Sequence, residues 1–164
     1  MRKYFIFIII VVLCAGLPSK SIASSVNDAY KSLKRVEANT EVGVTFPKYI
    51  SELVNAKVEV EIFLDNEKAE HNPELAISMK KAMNHYLIAG KVWKKKFETL
   101  DMVDGNSLFG KKVLELYPQI KKTTAYSVYG SNPFIKIEPF LTIIWLEASK
   151  ELNNLAKLLV NIKD

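Results

Sequence analysis

The chain of 164 residues contains a single cysteine, Cys14, and two histidines, His71 and His85. One cysteine cannot form an intramolecular disulfide, and it cannot supply the thiolate pair of a c-type haem site or of a structural zinc site. The two histidines are too far apart in sequence to share one helical turn as a ligand pair, and we expect both to be exposed. We therefore predict no metal site and no cofactor.

Sequence motifs of catalysis are also missing. No Gly-x-Ser-x-Gly elbow, Gly-rich phosphate loop or His-Glu-x-x-His pattern occurs. Met79 and Met83 lie close to His85 on one predicted helix, where they cannot reach opposite faces of a haem iron, and the Glu-x-x-His pairs of di-iron bundles are absent. We predict no catalytic residues. Two alternative functions are a haem- or metal-binding bundle and an enzyme whose catalytic residues are dispersed along the sequence.

Arginine is scarce, since Arg35 is the only arginine after residue 23. Nucleic-acid-binding proteins usually concentrate arginine and lysine on one face, whereas the lysines here are spread along the chain. Without the three basic residues of the first 23, the formal charge of +5 falls to +2. The sequence therefore predicts no nucleic-acid partner.

The amino-terminal segment has a charged start, the apolar stretch Tyr4–Leu13 and a polar end with small residues, which is the plan of a secretory signal peptide. The apolar stretch is shorter than the ~20 residues of a membrane-spanning helix. We predict a signal peptide over residues 1–23, cleaved before Ser24, and no permanent membrane anchor. Leu13 is not the small residue that precedes a lipidated cysteine, so Cys14 should leave with the signal. We expect a periplasmic or extracellular protein.

Four later segments repeat apolar residues at alternating steps of three and four, the pattern of amphipathic helices. The predicted helices are 26–42, 45–64, 73–97 and 138–161, with a shorter one over 107–117. Residues 58–64 also alternate like a strand and are rich in β-branched side chains. We predict that they continue the second helix, because the helical pattern is longer and Lys57 and Glu61 lie one turn apart.

Residues 119–138 show no sustained period, and we interpret them as an ordered crossover loop. Tyr126, Tyr129 and Phe134 lie in this turn-rich stretch, and tyrosines on loops often line recognition surfaces. They are a candidate ligand or partner surface. The alternative is that their rings only cover the end of the helical core.

Together these patterns predict an all-α fold, a single-domain antiparallel four-helix bundle over residues 24–164. Trp93 and Trp145 lie on the apolar stripes of their helices, so we expect both to be structural core residues. The function that we predict is a non-enzymatic module that binds a small ligand or a protein partner.

Overall fold

The computed structural model describes residues 22–99 and 101–161, with the side chains of residues 22–25 and 68 left undescribed. Positions 1–21 of the predicted signal peptide lie outside the described residues, so export stays a prediction. Among the helices that the structure describes, none combines the length and the apolar character that crossing a bilayer requires.

The described chain is mostly helical, with one small sheet. Its helices are α1 (Ile22–Val42), α2 (Phe46–Leu64), α3 (Glu67–His71), α4 (Pro73–Lys95), α5 (Leu108–Leu116) and α6 (Ile137–Asn161), with a 3₁₀ helix at Pro118–Lys122. Its strands are β1 (Met102–Asp104), β2 (Tyr126–Tyr129) and β3 (Asn132–Lys136). The four long predicted helices are confirmed as α1, α2, α4 and α6.

Helix α2 continues through residues 58–64, as predicted. Val60 and Phe63 are buried, while Val58 and Ile62 are about half exposed. Burial at a spacing of three follows the helical period and not the strand period. Of the three β-branched residues in this segment, Val58 and Ile62 therefore lie on the solvent side of the helix and Val60 lies on its buried side.

Residues 119–138 are more regular than the predicted crossover loop, and the all-α prediction needs this correction. They contain the 3₁₀ helix and the hairpin β2–β3, and β3 also pairs with β1, giving an antiparallel sheet in the order β1-β3-β2. Ile135 lies opposite both Val103 and Tyr126. Strands of three to five residues are too short to show a period, and β1 comes from a distant part of the sequence.

The four long helices contact one another in the pairs α1–α2, α2–α4, α4–α6 and α1–α6, and α1 also contacts α4. Their apolar faces meet in a continuous core that also receives side chains from the sheet and from the 3₁₀ helix. The largest fully buried side chains include Tyr49, Tyr86, Tyr117, Phe63 and Phe140. Helix α5 is short and lies at the edge of this core, where it borders α4.

Candidate functional site

The start of α5 is held closely against the end of β1. Ser107 precedes the helix, and its Oγ accepts a hydrogen bond from the Gly110 N–H at 3.0 Å while donating to the Asp104 carbonyl at 2.6 Å. A Cβ at Gly110 would lie 2.1 Å from that carbonyl oxygen. Only glycine allows this approach, so the sequence at Gly110 sets the position of α5.

The end of α5 is held by a side-chain contact with α4. Tyr117 follows the helix, and its hydroxyl lies 2.7 Å from Nδ1 of His85 on α4. Tyr117 is 1% exposed, and its ring also packs edge-on against Phe140 of α6, with ring centroids 5.6 Å apart. Both ends of α5 are thus attached to the rest of the fold.

A groove of about 440 Å³ lies between α4 and α5. Its lining residues are Asn84, Ile88, Lys91, Leu108, Phe109, Lys112, Val113 and Leu116. Ile88 and Val113 are buried and form the floor, whereas Leu108 is 89% exposed and Leu116 is 46% exposed. The groove therefore presents apolar side chains to solvent, an arrangement that favours a bound apolar group.

The polar groups of the groove are cationic or neutral. Lys91 comes from α4 and Lys112 from α5, and the remaining polar lining residue is Asn84. Within residues 22–99 and 101–161, neither lysine forms an ion pair with a carboxylate. The groove thus offers two ammonium groups beside apolar side chains.

His85 lies next to this groove, and our expectation that it is exposed was wrong. It is partly buried, because Tyr117 from another element covers it. Burial lowers the pKa of His85 below its ordinary value of 6.5; the carboxylates of Glu151 and Glu147 raise it, and the Lys81 ammonium lowers it. A neutral His85 whose proton is on Nε2 accepts a hydrogen bond at Nδ1 from the Tyr117 hydroxyl.

The lowered pKa of His85 predicts a pH-dependent stability. Between the folded pKa and 6.5 the unfolded chain binds more protons than the folded one, so the free energy of unfolding should decrease as pH falls below about 6.5. We expect the His85→Gln variant to show a smaller decrease between pH 7.5 and pH 5.5 in urea titrations. An unchanged pH dependence in that variant would contradict the assignment.

His71 is exposed, as predicted, and its Nδ1 lies 2.7 Å from the carbonyl oxygen of Glu67 one turn earlier. Across the part of the chain that the structure describes, no group of three or more histidine, cysteine, aspartate or glutamate side chains could hold a metal ion. The geometry of His71 is that of a side chain bonded within its own helix.

The predicted surface of Tyr126, Tyr129 and Phe134 lies on the hairpin. The rings of Tyr129 and Phe134 are in edge contact at 5.9 Å, and Tyr129 is 63% exposed, whereas Tyr126 packs against the core. None of the three lines the groove. A role for these rings in recognition stays a prediction.

Sequence reasoning missed the groove residues of α5. Leu108, Lys112 and Leu116 recur at steps of four, which places them on one helical face. That signal was present within the predicted helix 107–117. This face lines a groove only because α4 lies alongside α5, and the sequence pattern does not specify which helix packs there.

The two tryptophans pack against the core, but neither is fully buried. Their rings meet edge-on at 5.7 Å, and both contact Tyr49. Burial raises the pKa of Tyr49, whose hydroxyl donates to the Tyr86 carbonyl at 2.8 Å. The nearby indole N–H of Trp145 lowers the pKa of Tyr49, although it forms no hydrogen bond with the Tyr49 hydroxyl. Trp145 Nε1 is thus buried without an acceptor among the described residues.

No known family model matches the chain, and neither a curated protein nor a solved structure is significantly similar to it. The groove combines an apolar floor, exposed apolar edges and two ammonium groups that have no carboxylate partner among the described residues.

Proposed function

We propose that the protein is an exported, non-enzymatic binding module, a single four-helix bundle domain over residues 24–164 that takes a small apolar ligand into the groove between α4 and α5. The signal-like pattern of residues 1–23 supports export. The pairwise contacts of the four long helices support the bundle. The observation that carries the binding function is the exposure of Leu108 and Leu116 along an apolar groove of about 440 Å³.

The size of the groove favours a small molecule over a protein partner. Small-molecule sites enclose ~300–1,000 Å³, and the groove falls within this range. A stable protein interface buries ~800 Å² on each side. The groove wall formed by α5 is nine residues long, or ~14 Å at the helical rise, which is short for such an interface.

The attachment of α5 at both ends supports a groove that exists before the ligand arrives. The contacts at Gly110 and Tyr117 restrict movement of the helix between them. A preformed site avoids the entropic cost of ordering its walls on binding. Exposed apolar side chains held in this way lose unfavourable contact with water when a ligand covers them.

Binding of an uncharged apolar dye such as N-phenyl-1-naphthylamine tests the proposal. We expect enhanced, blue-shifted dye fluorescence with the parent protein, and a dissociation constant about tenfold weaker for Leu116→Glu, because the substitution brings a charge against the apolar dye. Leu146→Glu is the matched control, since Leu146 is a leucine of similar exposure, 56%, on α6 and lies outside the groove.

Absence of dye binding in the parent, or equal losses in the two leucine variants, would contradict binding in the groove. The hairpin is the alternative surface, because Tyr129 and the neighbouring Val128 are both exposed. Tyr129→Ser should leave dye affinity unchanged if the groove is the site, and should weaken it if the hairpin is. A visible absorbance band or bound metal in the purified protein would instead support the haem- or metal-binding alternative.

A further inference from the structure

Seven of the seventeen described lysine side chains form ion pairs with carboxylates, and the two lysines of the groove are among the ten that form none within the described ranges. Several lysines have carboxylate partners: Lys34, Lys57, Lys81, Lys94, Lys95, Lys96 and Lys150. Lys91 and Lys112 have none within the described ranges, although they lie on facing walls of one apolar groove. Two like charges that border apolar surface and lack counter-ions favour an anion at that position.

The contacts of α5 indicate where these charges lie along the groove. Tyr117 places the end of α5 beside His85 of α4, so the first half of α5 extends toward Lys91. Lys112 lies one turn after Leu108 on the same face of α5. Lys91 and Lys112 therefore border the first half of the groove together with Leu108 and Phe109, and Val113 and Leu116 continue the apolar lining beyond Lys112.

We propose that the ligand is a monomeric single-chain carboxylate, a fatty-acid-like amphiphile. Its chain occupies the apolar floor of the groove, and its carboxylate lies between Lys91 and Lys112. This inference rests on the proposed binding function and adds the class of ligand. A groove wall of ~14 Å accommodates one extended chain, and the pair of ammonium groups complements one carboxylate.

Displacement of the uncharged dye by amphiphiles tests the ligand class. Dodecanoate should displace the dye below its micellar concentration, and decanoate should bind about 15-fold more weakly, because each buried methylene contributes ~0.8 kcal/mol. Dodecyltrimethylammonium, with the same chain and the opposite charge, should bind at least about tenfold more weakly than dodecanoate. Equal affinities for the two head groups would overturn the proposal.

Charge variants locate the head group. The double variant Lys91→Gln and Lys112→Gln should lose about tenfold in dodecanoate affinity while keeping the parental dye affinity, since two charge-assisted contacts are removed and the apolar floor is intact. The control is the double variant Lys48→Gln and Lys136→Gln, at two exposed lysines outside the groove. Circular dichroism shows that each variant is folded.

The outcomes separate this inference from the proposed function. Dye binding without displacement by dodecanoate leaves the groove as a binding site and overturns the carboxylate ligand. Absence of both dye binding and dodecanoate binding in the parent protein overturns both proposals. Dodecanoate affinity that is equal in the two double variants shows that the groove lysines do not hold the head group. Sedimentation with phosphatidylglycerol vesicles, without binding of monomeric dodecanoate, would show a membrane surface as the partner and overturn the inference.

Discussion

The Gly110→Ala variant should be less stable than the parent by about 3 kcal/mol, at the upper end of the usual cost of overpacking. The added Cβ would lie 2.1 Å from the Asp104 carbonyl oxygen and 2.8 Å from the Gly105 Cα, which are both backbone atoms. These atoms cannot yield easily, since Asp104 pairs with Phe134 in the sheet and Gly105 donates to the Pro133 carbonyl at 2.7 Å.

Urea denaturation followed by circular dichroism measures this effect, and Gly90→Ala is the matched control. A Cβ at Gly90 would meet only side-chain atoms, the nearest being Leu53 Cδ2 at 3.2 Å. Alanine also favours the helix over glycine by ~1 kcal/mol. We expect Gly90→Ala to remain within about 1 kcal/mol of the parent. Parental stability of Gly110→Ala would show that α5 does not lie as closely on β1 as the structure indicates.

The Trp145→Ala variant should lose about 3 kcal/mol of stability, the lower end of the range for truncating a buried tryptophan. The lower end applies because Trp145 packs against the core but is partly exposed. The variant loses the ring contacts with Trp93 at 5.7 Å and with Tyr49 at 6.3 Å. Trp93→Ala should be similarly destabilised, since Trp93 also contacts Phe46.

The Trp145→Phe variant separates the ring contacts from the indole N–H. Phenylalanine keeps an aromatic ring at this position and removes the buried Nε1, which has no acceptor in the described structure. Because an unpaired buried donor is unfavourable, we expect this variant to lose about 1 kcal/mol or less in urea titrations. If the alanine and phenylalanine variants were equally destabilised, the ring contacts would not be what Trp145 contributes.

The helices show how far local pattern determines this protein. Apolar residues at steps of three and four located the four long helices, and α1 ends at Val42, where the predicted helix 26–42 ends. Gly43 follows it with a φ of 79°. The same rule identified residues 58–64 as helix. This succeeds because each helix is stabilised by burying one face, and the apolar residues of that face recur at a fixed spacing within a single segment.

The site was less predictable because its parts come from different segments. The tyrosines of the hairpin are clustered in sequence and were predicted as a candidate surface, but Tyr126 packs against the core. The groove depends on α4 and α5 lying side by side. No pattern within α5 reveals that Leu116 and Lys112 face Ile88 of another helix.

The sequence by itself determined the long helical segments, the short helix after residue 107, and the scarcity of cysteine and histidine. The tertiary structure alone decided that His85 is covered by Tyr117, 32 positions later in the chain, and that β1 pairs with β3. The physical reason is the range of the interactions. Helical hydrogen bonds and amphipathic spacing act within a few residues, whereas the sheet, the His85 contact and the groove form only when distant segments pack together.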